Sequence, residues 1–286
     1  ATLKVEITDG VALELVRIPA GEFIMGDPNG PADARPLGRV RIDKPFWMGR
    51  FETTNAQFAR FDPLHDSRIQ TKHGYQFGVT GYPANGANQP VVRVSWRQAM
   101  DFCQWLTRRS GGQLRFTLPT EAQWEWACRA GSDAPMNFGD ISADFSKFAN
   151  LGDVKLAEFA SNPYTVTEPM QNPNRWDDWI PRDTRFNDQA LISTEVGKYL
   201  PNAWGLHDMH GNVWEWTRSA YRPYPYAADD GRDEPAASGD KIIRGGSWYD
   251  RPKRCTSAFR LSYRPYQPVF NVGFRVVAEP AAAARP

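Results

Sequence analysis

Histidine and cysteine are scarce in this chain, with four and three among 286 residues. His207 and His210 stand three apart, but a zinc site needs at least one more nitrogen or sulfur ligand and none lies nearby in sequence. His65 and His73 fall in a polar loop and read as surface or packing residues. No charge of one sign prevails either: 34 Lys and Arg face 33 Asp and Glu, and no basic run reaches five residues. Without such a run there is no electrostatic footprint for nucleic acid or for an anionic membrane surface. Mean hydropathy is -0.58, and no apolar stretch approaches the roughly 20 residues that span a bilayer. The chain therefore reads as soluble, without a membrane span. It opens Ala1-Thr2-Leu3-Lys4-Val5 without the apolar core of a signal peptide. A start at Ala is what cleavage of such a peptide leaves, so the expectation is a periplasmic or secreted protein, with the cytoplasm left open.

Glycine and proline are plentiful at 23 each, and tryptophan reaches 11. Frequent turn residues leave few places for long helices, and so many indoles imply a core of large aromatics under irregular loops. At this length a substantial core is available. One domain is expected over residues 1–279, with 280–286 as a flexible tail. Three cysteines cannot all pair, so at least one thiol is free or bonded to another chain. Cys103 and Cys128 lie among apolar residues at helical spacing and are expected as small buried hydrophobes.

Residues 11–18 and 22–26 read as strands joined at Pro19-Ala20-Gly21, and 40–42 and 46–51 as further strands. A helix opens near Thr53–Asn55. The clearest helix starts at Ser95, with Gln98 in the capping-box position, and another starts at Thr120 and stops at Gly131. The stretches 62–89 and 132–201 read as long loops. A loop of the second length needs something to hold it, and a bound metal is one candidate.

Several motifs follow one another along the chain: Ile18-Pro19-Ala20-Gly21-Glu22-Phe23, Thr54-Asn55-Ala56-Gln57-Phe58, Pro90-Val91-Val92-Arg93-Val94-Ser95-Trp96 and Leu118-Pro119-Thr120-Glu121-Ala122-Gln123-Trp124-Glu125. They continue with Gly205-Leu206-His207-Asp208-Met209-His210-Gly211-Asn212-Val213-Trp214-Glu215, Arg244-Gly245-Gly246-Ser247-Trp248-Tyr249-Asp250 and Asn271-Val272-Gly273-Phe274-Arg275. In this order they resemble the formylglycine-generating enzyme (sulfatase-modifying factor) family from about Val16 to Val277. The resemblance implies one α+β domain, distantly like C-type lectins, with little regular secondary structure and stabilised by calcium.

Calcium takes six to eight oxygens and readily uses main-chain carbonyls between flanking carboxylates. Asp208 and Glu215 bracket such a segment, although a capped turn with solvated acids has the same spacing. The resemblance implies two calcium sites. One would use Asp208 and Glu215 with the carbonyls of Met209, Gly211 and Val213; the other would use Asn150, Leu151, Asp188 and Ala190.

The family's oxidases bind copper(I) through two thiolates five positions apart, and soft sulfur suits that ion. Here Cys255 matches the second thiolate, Ser247 matches the active-site serine, and the first thiolate is replaced by Asp250. A carboxylate is a hard ligand, so copper is not expected, nor is oxidation of sulfatase cysteines. The positions of the family's C-terminal disulfide hold Arg260 and Val276. Ser247, Asp250 and Cys255 remain the catalytic candidates, as an acid beside a thiol. Arg244, Arg251, Lys253, Arg254, Arg260 and Arg264 are read as a basic neighbourhood that lowers a thiol pKa. The alternative is an inward-packed Cys255 beneath a solvated arginine rim.

Three functions stand side by side. One is an oxidative tailoring enzyme similar to the pyoverdine-maturation proteins; iron-dependent sulfoxide synthases share the fold but add a histidine-rich domain absent here. Another is a lectin-like binding module displaying Tyr249, Asp250, Arg254, Tyr263 and Tyr266. The third is a non-catalytic subunit of a larger assembly, docking through 221–226 and 263–266. The partner is an unspecified peptide, small molecule or protein.

Overall fold

The computed structural model describes residues 1–8, 10–68, 84–156 and 182–281. The expected surface residue His73 and the middle of each long loop fall outside these residues. The described elements are β1 (Thr2–Thr8), β2 (Val11–Ile18), β3 (Gly21–Met25), β4 (Gly38–Ile42), β5 (Phe46–Gly49), α1 (Asn55–Phe58), α2 (Trp96–Arg109), β6 (Leu114–Thr117), α3 (Glu121–Arg129), β7 (Trp214–Ala220), β8 (Lys241–Arg244), β9 (Leu261–Tyr263), β10 (Val272–Gly273) and β11 (Val277–Pro280).

Each helix begins where the sequence predicts, because its start is written locally. Thr54, Ser95 and Thr120 accept a hydrogen bond from the backbone N–H three residues on, and Gln57, Gln98 and Gln123 reach back to the cap. These are complete capping boxes. Along α2, Trp96, Ala99, Met100, Phe102, Cys103 and Leu106 are buried, a single apolar face at helical spacing. Burying each of the larger side chains contributes about 1.5–3 kcal/mol.

The strands are arranged less locally. A five-stranded sheet has the order β1-β2-β5-β11-β6, a four-stranded sheet the order β10-β7-β8-β9, and among the described residues β3 pairs only with β4. The predicted β2 and β3 therefore do not form a hairpin with each other. The C-terminal strand β11 is wedged between β5 and β6. Pro280 pairs with Leu114, and the Ala281 N–H donates to the Gln113 carbonyl at 3.0 Å. The paired chain thus runs past position 279, where a flexible tail was expected; 282–286 lie outside the described residues.

The indoles anchor the core with their polar edge satisfied. Trp96 Nε1 donates to the Thr217 carbonyl and Trp216 Nε1 to the Val94 carbonyl, both at 2.9 Å, which ties α2 to β7. Under α3 lies a buried charge network. Arg260 holds Glu121 through Nε (2.6 Å) and Nη2 (3.0 Å), and Arg244 spans Glu121 (2.8 Å) and Glu125. Arg129 closes onto Glu125 at 2.8 Å. Arg244 and Arg260 are therefore not part of a solvated rim or of the Cys255 thiol's charged surroundings; they cross-link the fold. Arg260 stands where the resemblance places a disulfide cysteine, and an ion pair makes its cross-link.

No helix among the described residues is long and apolar enough to cross a membrane.

Candidate functional site

β8 ends at Arg244 and the chain turns sharply through Gly245 and Gly246 into Ser247. Gly246 has φ of +78°, and a Cβ there would lie 2.2 Å from the Cys255 sulfur. Only glycine lets the backbone pass so close to that thiol. Ser247 Oγ donates to Asp250 Oδ2 at 2.6 Å, and the same oxygen accepts Trp214 Nε1 at 2.8 Å. Arg254 pairs with the other carboxylate oxygen at 3.2 Å. Asn271 Nδ2 donates to Ser247 Oγ at 2.8 Å. Asp250 is 3% exposed and burial raises its pKa, with Arg254 opposing.

Cys255 has no exposed surface. It packs with Met136, Phe145, Ala149 and Leu151, and its thiol lies 3.5 Å from the Asp250 carbonyl. Burial and then the Asp250 charge push the thiol pKa well above its usual value. The structure thus brings all three catalytic candidates together, but as a packed and hydrogen-bonded plug. The expected lowering of the thiol pKa by basic neighbours is overturned, because desolvation of a thiolate outweighs the one half-exposed guanidinium nearby. The position of the first thiolate holds the Asp250 carboxylate, and the Cys255 thiol is sealed.

All three cysteines are free and buried. Cys128 lies 3.5 Å from His210 Nε2, which also accepts the Asn137 N–H at 3.0 Å. His210 Nδ1 faces the Cys255 carbonyl at 2.7 Å, and burial lowers its pKa to about 4. A neutral imidazole between a carbonyl and an N–H is a structural cross-brace. His207 likewise bonds the Tyr199 carbonyl at 2.8 Å. His65 Nε2 meets the Val92 carbonyl at 2.8 Å, a packing role.

Among the described residues no group of three or more His, Cys, Asp or Glu side chains is arranged to hold a metal. The two expected calcium sites would depend on main-chain carbonyls, and the structure offers orphaned oxygens at both. At the site expected from Asn150, Leu151, Asp188 and Ala190, Asn150 Oδ1 is buried without a hydrogen-bond partner among the described residues. The Asp188 carboxylate accepts the Leu151 and Ala190 N–H groups at 2.8 Å. Burial and the neighbouring Asp153 raise Asp188 to about 7. At the site expected from Asp208 and Glu215, Asp208 Oδ1 is also buried and unpartnered among the described residues, and burial raises Asp208 to about 6. Glu215 arrives already forked by Arg275 (2.6 and 2.7 Å) and bonded by Trp124.

Sequence reasoning passed over Glu52. It lies against Asp208 and Glu215, and burial followed by their charges raises its pKa well above normal. Its oxygens accept Asn212 Nδ2 at 2.7 Å and the Val213 N–H at 3.1 Å. Three buried carboxylates, Glu52, Asp208 and Glu215, thus lie near the single Arg275 guanidinium, although their side chains by themselves form no cluster that could hold a metal. Asn212 joins the two centres, since its Oδ1 accepts Asn150 Nδ2 at 3.1 Å. The centres touch at Gly211, φ +80°, where a Cβ would stand 2.1 Å from the Asn150 carbonyl oxygen. Only the Thr-Asn motif nearby signalled Glu52, and it pointed to helix capping.

The faces expected to display a binding surface are partly consumed. Arg260 stacks on Tyr224 (4.1 Å) and Tyr221 (4.9 Å), and Arg232 on Tyr226 (4.9 Å). Tyr266 stays 55% exposed.

Residues 6–280 match the model of the sulfatase-modifying factor enzyme 1-like domain. The chain is 29% identical to the formylglycine-generating enzyme of Streptomyces coelicolor, over 91% of this chain and 87% of that one. It is 26% identical to the inactive C-alpha-formylglycine-generating enzyme 2 of Mus musculus, over 95% and 87%. Among solved structures, PvdO from Pseudomonas aeruginosa superposes with a TM-score of 0.73 at 26% identity, covering 98% of both chains. The motifs along the sequence, the arrangement of strands and the match over residues 6–280 agree, and the chain belongs to the sulfatase-modifying factor (formylglycine-generating enzyme) family.

Proposed function

We propose that this protein is a calcium-stabilised member of the family that does not convert cysteine to formylglycine and serves as a ligand-binding scaffold. One observation carries the reading. The position of the first oxidase thiolate is a carboxylate locked to Ser247, Trp214 and Arg254, and the second thiol has no exposed surface. The similarity to a mouse relative named as inactive is consistent with a member of this fold that lacks that activity.

Calcium is proposed at the two acidic centres, held by Asn150, Asp188 and the Leu151 and Ala190 carbonyls, and by Asp208 and Glu215 with Glu52 alongside. Bound there, calcium would neutralise buried carboxylates and pin 150–151 and 188–190 onto the 208–215 turn.

The test uses the purified protein in competition with a copper(I) chelator, followed by incubation with a cysteine-containing sulfatase peptide in air. The expectation is no copper withdrawn and an unmodified peptide by mass spectrometry. Stoichiometric copper binding, or formylglycine in the peptide, would overturn the reading. A second reading is oxidative tailoring of a small exported molecule, as the resemblance to pyoverdine-maturation proteins suggests. The coverage of 98% of both chains by the PvdO superposition favours it. Oxygen uptake with a pyoverdine precursor separates the two.

A further inference from the structure

The molecule carries a basic groove of about 360 Å3 lined by Ile141, Arg182, Asp183, Arg185, Arg251 and Lys253 among others. Four cations there face one carboxylate. Asp183 is already held by Arg185, whose Nε lies 2.9 Å from Oδ1. Arg185 also reaches the Ile141 and Ser142 carbonyls at 3.3 and 3.4 Å. Arg251 is different: its Nε is buried and has no hydrogen-bond partner among the described residues. A buried guanidinium N–H without an acceptor is costly, and the rest of this half-buried side chain lines the groove. Lys253 stands exposed beside it.

The two walls are braced against each other through Gly152. Its N–H donates to the Asp250 carbonyl at 2.9 Å, and its carbonyl accepts the Asp183 N–H at 2.7 Å. The groove is thus a preformed feature next to the Ser247–Asp250 plug, and its volume is within the range of small-molecule sites.

We infer that this groove binds the anionic group of a ligand, a carboxylate, sulfate or phosphate, with Arg251 as the fork and Lys253 as the point charge. A planar fork suits an oxyanion with two adjacent oxygens. The inference goes beyond the scaffold reading and stands whether or not the protein turns a substrate over.

The experiment titrates the full chain with sodium sulfate, sodium phosphate and a blocked tetraglutamate peptide, at ionic strength held constant with chloride. Arg Nε–H resonances in heteronuclear NMR report binding. The expected result is a saturable shift of the Arg251 Nε–H. Arg251→Gln with Lys253→Gln should weaken binding by about tenfold or more, the loss of a charge-assisted fork. Thermal midpoints of the variants, read in parallel, confirm that they remain folded. Tighter binding of the free oxyanions assigns a small-molecule source, and tighter binding of the peptide an acidic chain; both uphold the site. Shifts that never saturate, or a double variant that is folded and binds as well as the parent chain, would overturn it.

Discussion

Replacing Asp250 with Ala removes the acceptor of three donors, and their burial sets the cost. Trp214 Nε1 is donor-only, and the residue is 2% exposed. Ser247, with no exposed surface, loses the acceptor of its hydroxyl proton, since Asn271 and the Tyr249 N–H already donate to its oxygen. Each orphaned buried donor costs about 1–3 kcal/mol. Arg254 is 41% exposed and rehydrates, so its loss contributes under about 1 kcal/mol. Relief of the buried carboxylate's own desolvation offsets part of the total. The net expectation is about 2–4 kcal/mol, or a midpoint lower by roughly 4–16 °C on the scaling for chains of 150–250 residues. Asp250→Asn keeps one acceptor and should lose about half as much. The pH dependence gives a second check. The folded pKa of Asp250 is raised, so the folded state holds the proton more tightly than the unfolded chain. Its contribution is greatest below the ordinary carboxylate pKa and declines as pH rises toward the folded value. Urea unfolding should therefore show a smaller deficit for Asp250→Asn at pH 8 than at pH 4. A variant as stable as the parent chain at both pH values would refute the account of a structural lock.

Arg244→Met leaves Glu121 and Glu125 buried with fewer partners, and a loss of about 3–5 kcal/mol is expected in urea unfolding. A neutral outcome would mean that Arg260 and Arg129 compensate alone. Native protein should show no thiol reactive toward an aromatic disulfide reagent, and all three after unfolding; a fast-reacting native thiol would contradict the burial of Cys255. Chelation with EGTA should lower the thermal midpoint, and added calcium should restore it. Asn150→Ala and Asp208→Ala should each reduce that calcium-dependent gain, and an EGTA-insensitive midpoint would remove calcium from the proposal.

Much of what was legible in the sequence was local. The capping boxes at Thr54, Ser95 and Thr120 are complete within four residues, so the helix starts could be read without any knowledge of the fold. The apolar spacing around Cys103 and Cys128 likewise announced their burial, because side chains on one helix face share one environment. The ordered motifs carried the family, and with it the α+β architecture. Pairing of strands was another matter. β10 and β11 are short, and their partners β7, β5 and β6 are supplied by distant parts of the chain, so no periodicity within them could announce a strand. The fate of charged residues was equally non-local. Arg244 and Arg260 look like members of a basic surface in the sequence, and only tertiary packing against Glu121 and Glu125 makes them internal cross-links. Cys255 was identifiable as a candidate by its position, but its chemistry depended on the apolar shell of Met136, Phe145, Ala149 and Leu151, drawn from residues more than a hundred positions earlier. Residue identity determined which groups this protein carries; desolvation, which depends on everything packed around a group, decided which of them are charged, paired or sealed.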